Sequence, residues 1–276
     1  MPMPALPDIN GTHNVVITGV GGTGVVTIGA VLAMAAHLDS KGASMMEMAG
    51  LAQKGGAVHI HCRIAQTPDD IAAIRVATGE CDALIGGDLV VSAGAKTLGL
   101  MQTGRTRGVV NAHEIITGEF TRDTGFRLPV DQLQLALQAR LQDGLTMFNA
   151  SHLAQSLMGD SIYSNMIVFG AAWQMGAIPV GYDAIVGAIK MNGTAVEQNL
   201  RAFEYGRWAY LYPKVAVEAP AEPTKTLAEK IAYRMDHLTA YQGPKLAEKY
   251  ARAVKAFDDA ALQDAVATGY HKLLSY

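Results

Sequence analysis

Cysteine is the first shortage. Cys62 and Cys81 are the only two in 276 residues, and they form neither a CxxC nor a paired metal spacing. An iron–sulfur cluster normally takes four thiolates, so this sequence by itself predicts none. Positive charge is also short. The 22 Lys and Arg against 25 Asp and Glu leave a net charge of −3, which gives no overall pull toward nucleic acid. Long apolar runs are missing, since nothing approaches the roughly 18 or more residues of a membrane span. The opening MPMPALPDINGTHN has neither the basic nor the apolar segment of a signal peptide. The expected location is the cytoplasm, with no membrane and no nucleic acid as partner.

What is abundant is apolar side chain and glycine. Half of the residues are hydrophobic and 29 are glycine. That is enough for a substantial core, arranged as one large domain or two smaller ones. Short apolar runs at Val15–Thr18, Ala43–Met48, Ala57–Ile64, Ala83–Ile85, Gly108–Asn111 and Thr146–Asn149 read as strands. Helical stretches at Gly22–His37, Asp131–Leu141 (with Asp131 as its cap), Ser164–Met175, Asp183–Lys190 and Thr194–Tyr210 separate or follow them. Strands alternating with helices predict a three-layer α/β sandwich with a mainly parallel, Rossmann-like sheet. Trp173 and Trp208 lie in helical stretches and read as core.

Residues 213–223 are a Pro/Ala/Glu linker between a main domain at 13–212 and a tail at 224–276. From 218 onward the chain holds eight basic and eight acidic residues, far denser than before. Leu227–Tyr241, Pro244–Phe257 and Ala260–Leu274 predict a helical appendage packed on a larger partner, without a self-contained core.

Gly19-x-Gly21-x-x-Gly24 lies between a predicted strand and helix, in the place of a dinucleotide fingerprint. Glycines permit a tight turn and close backbone approach, and the helix start offers N–H groups to a phosphate. Gly19, Gly21, Gly22, Thr23 and Gly24 are therefore candidates for a nucleotide or CoA phosphate. Glu47, some 23 positions past Gly24, is the candidate for a ribose. A turn that is glycine-rich only so that strand and helix pack closely stays open beside this.

The loop before the third strand, Gln53-Lys54-Gly55-Gly56, pairs a point charge with two glycines that allow close approach of a ligand or a subunit. His59, His61 and Arg63 alternate onto one strand face. A half-buried polar face is the favoured reading. Zinc would need a third ligand such as His113 or Asp88. His113 and Glu114 follow the fifth strand, at a sheet end where α/β sites collect. Gly159-Asp160-Ser161 departs from a thiamine diphosphate signature at its third residue, and Asn192 falls too far downstream, so it is rejected.

Taken together, Gly19-Val-Gly-Gly-Thr-Gly24-Val-Val, GLAQKGGAV at Gly50–Val58, His61-Cys-Arg63-Ile, Asp160-Ser-Ile-x-x-Asn165 and Asn192-Gly-x-x-Val-Glu-x-Asn199-x-x-Ala-Phe-x-x-Gly206 are more specific than any part. The sequence over about 13–210 resembles the gamma-type domain of the 2-oxoacid:ferredoxin oxidoreductases. It most resembles indolepyruvate ferredoxin oxidoreductases of the fused type. One departure is Ile60 before His61, where the family pattern carries Ser. The tail resembles the segment that follows in fused enzymes, so a separate subunit or a piece of a longer protein is expected.

The resemblance implies oxidative decarboxylation of a 2-oxoacid with CoA and ferredoxin. Thiamine diphosphate, Mg and iron–sulfur clusters would be carried by partner subunits or domains. This chain would cover the thiamine site and help position CoA, with negligible turnover alone. Asn165 and Asn199 match family positions without an assigned role. Two rivals remain: an NAD(P)-dependent dehydrogenase with His113 as proton donor, and a non-catalytic assembly module.

Overall fold

The computed structural model describes residues 1–22, 24–49, 56–113, 128–214 and 226–275. They fall into two units, Met1–Ala219 and Pro220–Tyr276.

The first unit is built on six strands: β1 (Thr12–Val20), β2 (Gly42–Ala49), β3 (Ala57–Ala65), β4 (Ala83–Gly86), β5 (Arg107–Asn111) and β6 (Leu145–Phe148). Their order is β2-β3-β1-β4-β5-β6. β1, β4, β5 and β6 pair in parallel, while β3 runs against both β1 and β2. Val15 to Val20 are all buried, because helices cover both faces and a central strand then needs no polar side.

Among the described residues, eight helices accompany the sheet. They are α1 (Val25–Leu38), α2 (Leu89–Ser92), α3 (Ala95–Leu100), α4 (Val130–Leu141), α5 (Ala150–Met158), α6 (Ser164–Gln174), α7 (Tyr182–Asn192) and α8 (Val196–Leu211). On one face Ile17, Ile60, Ile64 and Ile85 pack with Ile28 and Leu32 of α1 and Ile167 and Phe169 of α6. On the other, Val16, Leu84 and Val110 pack with Leu89 of α2 and Leu137 and Leu141 of α4. The result is the expected three-layer sandwich. Trp173 is fully buried and donates to the Val180 carbonyl at 2.8 Å, while Trp208 packs on the core partly exposed. One local expectation changes: α4 is preceded by Pro129 with no side-chain cap, and Asp131 lies inside its first turn.

α6 and α8 cross closely because each contributes a glycine. A Cβ on Gly170 would collide with the Phe203 carbonyl, and one on Gly206 with the Ile167 carbonyl. This crossing fixes the start of α6 relative to α8.

The second unit comprises α9 (Leu227–Gln242), α10 (Pro244–Lys255) and α11 (Ala260–Leu274). Thr226 and Glu229 form a capping box at α9, Pro244 opens α10, and Asp259 caps α11 through the Leu262 N–H. Leu238, Ala247, Tyr250, Val254 and Ala267 form a small core, with the Tyr250 hydroxyl donating to the Ala267 carbonyl at 3.1 Å. The tail therefore has a core of its own, contrary to the sequence-based expectation, because the apolar stripes of all three helices meet around Tyr250.

Candidate functional site

The strand order puts its reversal between β1 and β4, where the next connections leave on opposite sides of the sheet. Crevices at such points collect ligands in open α/β sheets. Three chain segments meet there: Gly21–Gly22 after β1, Gly87–Asp88 after β4, and Ala112–His113 after β5.

The glycines of the turn do different jobs. A Cβ on Gly19 would collide with Val25, so that glycine lets α1 sit on β1. The Gly21 N–H donates to the Gly56 carbonyl at 2.9 Å, tying the turn to the start of β3. Gly22 and Gly24 have φ of 89° and 81°, left-handed values that glycine adopts without strain. A Cβ on Gly24 would also strike the Asn165 amide. Thr23 lies outside the described residues, as do Lys54, Gly55 and Glu114.

Asn165 reaches across 141 residues of sequence to donate its amide to the Gly24 carbonyl at 2.8 Å. Its own Oδ1 accepts from the Met166 N–H. Asn199 donates to the Thr194 carbonyl at 2.9 Å, next to Ala195, which opens α8 in a left-handed conformation at φ 43°. A non-glycine residue there stores strain of about 1 kcal/mol or more, a feature that clusters at functional sites. Gly21, Gly22, Gly24, Val26, Asn165 and Asn199 line one cleft of about 490 Å³. Among the described residues, no charged side chain lines it.

A smaller neighbour of about 220 Å³ shares Gly22 and is lined by Gly87, His113, Ser151, Asp160, Ser161 and Ser164. Buried Asn111 organises its floor. Its amide donates to the Gly87 carbonyl and to the Ser151 hydroxyl, and its Oδ1 accepts the Ala150 N–H. Asp88 caps α2 with one carboxylate oxygen, at 2.9 Å from the Val91 nitrogen, and its other oxygen is buried without a partner among the described residues. Burial pushes its carboxyl up to about 6, against the backbone hydrogen bonds that favour the charged form.

The remaining candidates lie elsewhere. Glu47 is exposed on β2, and β3 intervenes between β2 and β1. Two strand spacings of about 4.8 Å put it about 10 Å to the side of the turn. His61 and Arg63 are on the sheet face away from α1. Arg63 donates to the Ala73 and Arg75 carbonyls and to Thr12, and so serves to pin the segment after β3. His59 bonds Thr97. No group of three or more His, Cys, Asp or Glu side chains comes together among the described residues.

Sequence reasoning missed Ser151, Ser161, Ser164 and Asn111 as site residues. Gly86-Gly87-Asp88 closing a strand is the sequence signal that could have found this crevice.

The family model for pyruvate ferredoxin/flavodoxin oxidoreductase matches residues 14–209. The chain belongs to this family. A second model, described as a family of unknown function, matches residues 227–276. Indolepyruvate oxidoreductase subunit IorB of Archaeoglobus fulgidus is 28% identical over 195 residues, covering 70% of this chain and 92% of that protein. The IorB subunit of Methanothermobacter thermautotrophicus is 25% identical, over 70% of this chain and 95% of its own. Among solved structures, the gamma subunit of a keto/oxoacid ferredoxin oxidoreductase from Geobacter sulfurreducens has 23% identity and a TM-score of 0.50, covering 72% of this chain and 98% of that one. That likeness speaks to the fold of this family member, not to its chemistry.

Proposed function

We propose that the chain is the gamma-type component of an indolepyruvate-type 2-oxoacid:ferredoxin oxidoreductase. In this reading the complete enzyme converts a 2-oxoacid, CoA and oxidised ferredoxin to acyl-CoA, carbon dioxide and reduced ferredoxin. Family membership and the likeness to two IorB subunits over nearly their whole lengths support it.

The donor set of this chain does not fit the redox cofactors. Cys62 and Cys81 are fully buried, and burial pushes each thiol up to about 12. The iron–sulfur clusters, and thiamine diphosphate with its Mg, are accordingly assigned to partner subunits or domains. There they supply electron transfer and carbanion stabilisation. This chain's part is positional: to cover the neighbour's thiamine site, exclude water and hold CoA.

The observation that carries the CoA assignment is the cleft at the start of α1. It gathers the glycine turn with the Asn165 and Asn199 amides at a helix N-terminus. The place of Glu47, beyond β3, counts against a nicotinamide dinucleotide, whose ribose that residue would have had to hold.

Val26 lines this cleft in the first turn of α1 and is 42% exposed. Val26→Glu suits a helix start but sets a carboxylate against a phosphate. In the complex reconstituted with its thiamine-bearing partner, it should raise the KM for CoA about tenfold with kcat little changed, while Val26→Gln stays near wild type. An unchanged KM would make the turn structural. Ferredoxin reduction by the isolated chain at the rate of the complex would overturn the component role itself.

A further inference from the structure

The sheet face away from α1 carries a second cavity, of about 650 Å³, between β3 and α3. His59 and His61 of β3, Arg75 from the segment after it and Lys96 of α3 line it, with Met48 and Leu100 as apolar wall. Among the described residues, no Asp or Glu lines it. Arg75 and Lys96 are exposed, and neither forms an ion pair with a described residue.

His61 is only 1% exposed. Its Nδ1 accepts the Val76 N–H at 2.9 Å. An imidazole that accepts at Nδ1 carries its proton on Nε2. That buried Nε2–H has no partner among the described residues. Burial first, then the nearby charges of Arg75 and His59, lower the ring to about 4, so it is neutral near pH 7 and remains a donor. Leaving such a donor unmade is unfavourable, and an acceptor entering the cavity would relieve it. Arg63 donates to the Ala73 and Arg75 carbonyls while His61 accepts from Val76, so both β3 side chains fix the segment that bears Arg75.

We propose that this cavity binds the oxyanion end of a small organic acid, a carboxylate or a phosphate, with Arg75 and Lys96 supplying charge and His61 Nε2–H a buried hydrogen bond. The guanidinium fork matches either oxyanion, and Met48 and Leu100 offer a surface for the organic body. The argument is independent of the CoA reading, because the two cavities share no lining residue.

The test titrates the full chain with potassium phosphate and, separately, potassium acetate at constant ionic strength, with chloride as reference. Calorimetry and the ¹⁵N-resolved His61 imidazole signal are read together. Saturable binding that moves the His61 Nε2–H signal is expected, with the stronger of the two anions naming the class. Arg75→Gln should weaken it about tenfold and Lys96→Gln about threefold, both at exposed positions where circular dichroism should be unchanged. No saturable shift up to about 50 mM of either anion would overturn the site, since a charged donor pair should do better than that. Binding of equal strength in Arg75→Gln would overturn it too, by placing the anion elsewhere.

Discussion

The two large cavities of the sheet domain offer positive potential by opposite means. Among the described residues, the cleft at the start of α1 is lined by backbone and asparagine amides without a charged side chain. The cavity over β3 relies on Arg75, Lys96 and two imidazoles. Backbone donors belong to the fold and are partly consumed by it: Gly21 N–H already serves Gly56, and Gly24 O already holds Asn165. Side chains can be held in reserve, as the unpartnered Nε2 of His61 is. A backbone cradle should therefore be sensitive to anything that shifts the fold, and a side-chain site to single charge changes that leave the fold alone.

The largest expected effect falls on the first kind. Gly206→Val would force α6 and α8 apart, displacing Asn165 and Asn199 together. A loss of about 3 kcal/mol or more is expected in urea unfolding, from steric overlap with backbone that cannot yield.

Acid should act next, through the other cavity. The folded value of His61, about 4, lies below the unfolded 6.5, so the unfolded chain binds the extra proton first. Stability is then lost as pH falls from about 6.5 toward 4. Asp88, raised to about 6 from 3.8, works the other way and gains stability over the same fall. His61→Asn should keep an acceptor for Val76 and lose about 2 kcal/mol less than wild type between pH 7 and 5, read from urea midpoints. Saturating anion in the cavity should shrink that difference by favouring the charged ring.

Asn165→Ala comes third. Removing the hold on Gly24 should cost about 1 kcal/mol and speed amide exchange in the first turn of α1, without altering anion binding over β3. Asn199→Ala, whose bond to Thr194 is exposed, should change stability by no more than about 0.5 kcal/mol. If the CoA reading holds, its effect appears in the KM for CoA.

Much of the architecture was readable along the chain. All six strands and the long helices follow from short apolar runs broken by glycine and polar clusters, because those signals act over a few residues. The cap of α4 was misread, since an Asp near a helix start stabilises the first turn equally well from inside it. The glycine turn was found by pattern, but its division of labour was not. Packing of Gly19 on Val25 and the bond from Gly21 to Gly56 depend on neighbours that spacing alone does not reveal.

The sequence by itself determined the alternation of strands and helices, the glycine turn after the first strand, and a chain too poor in cysteine to ligate a cluster alone. Tertiary structure decided the rest, because strand order and helix crossing are set by burial summed over the whole sheet rather than by local pattern. Inserting β3 beside β1 moved Glu47 away from the turn. The same insertion turned His61 toward the far face, and the crossing of α6 with α8 brought Asn165 to a carbonyl 141 residues distant.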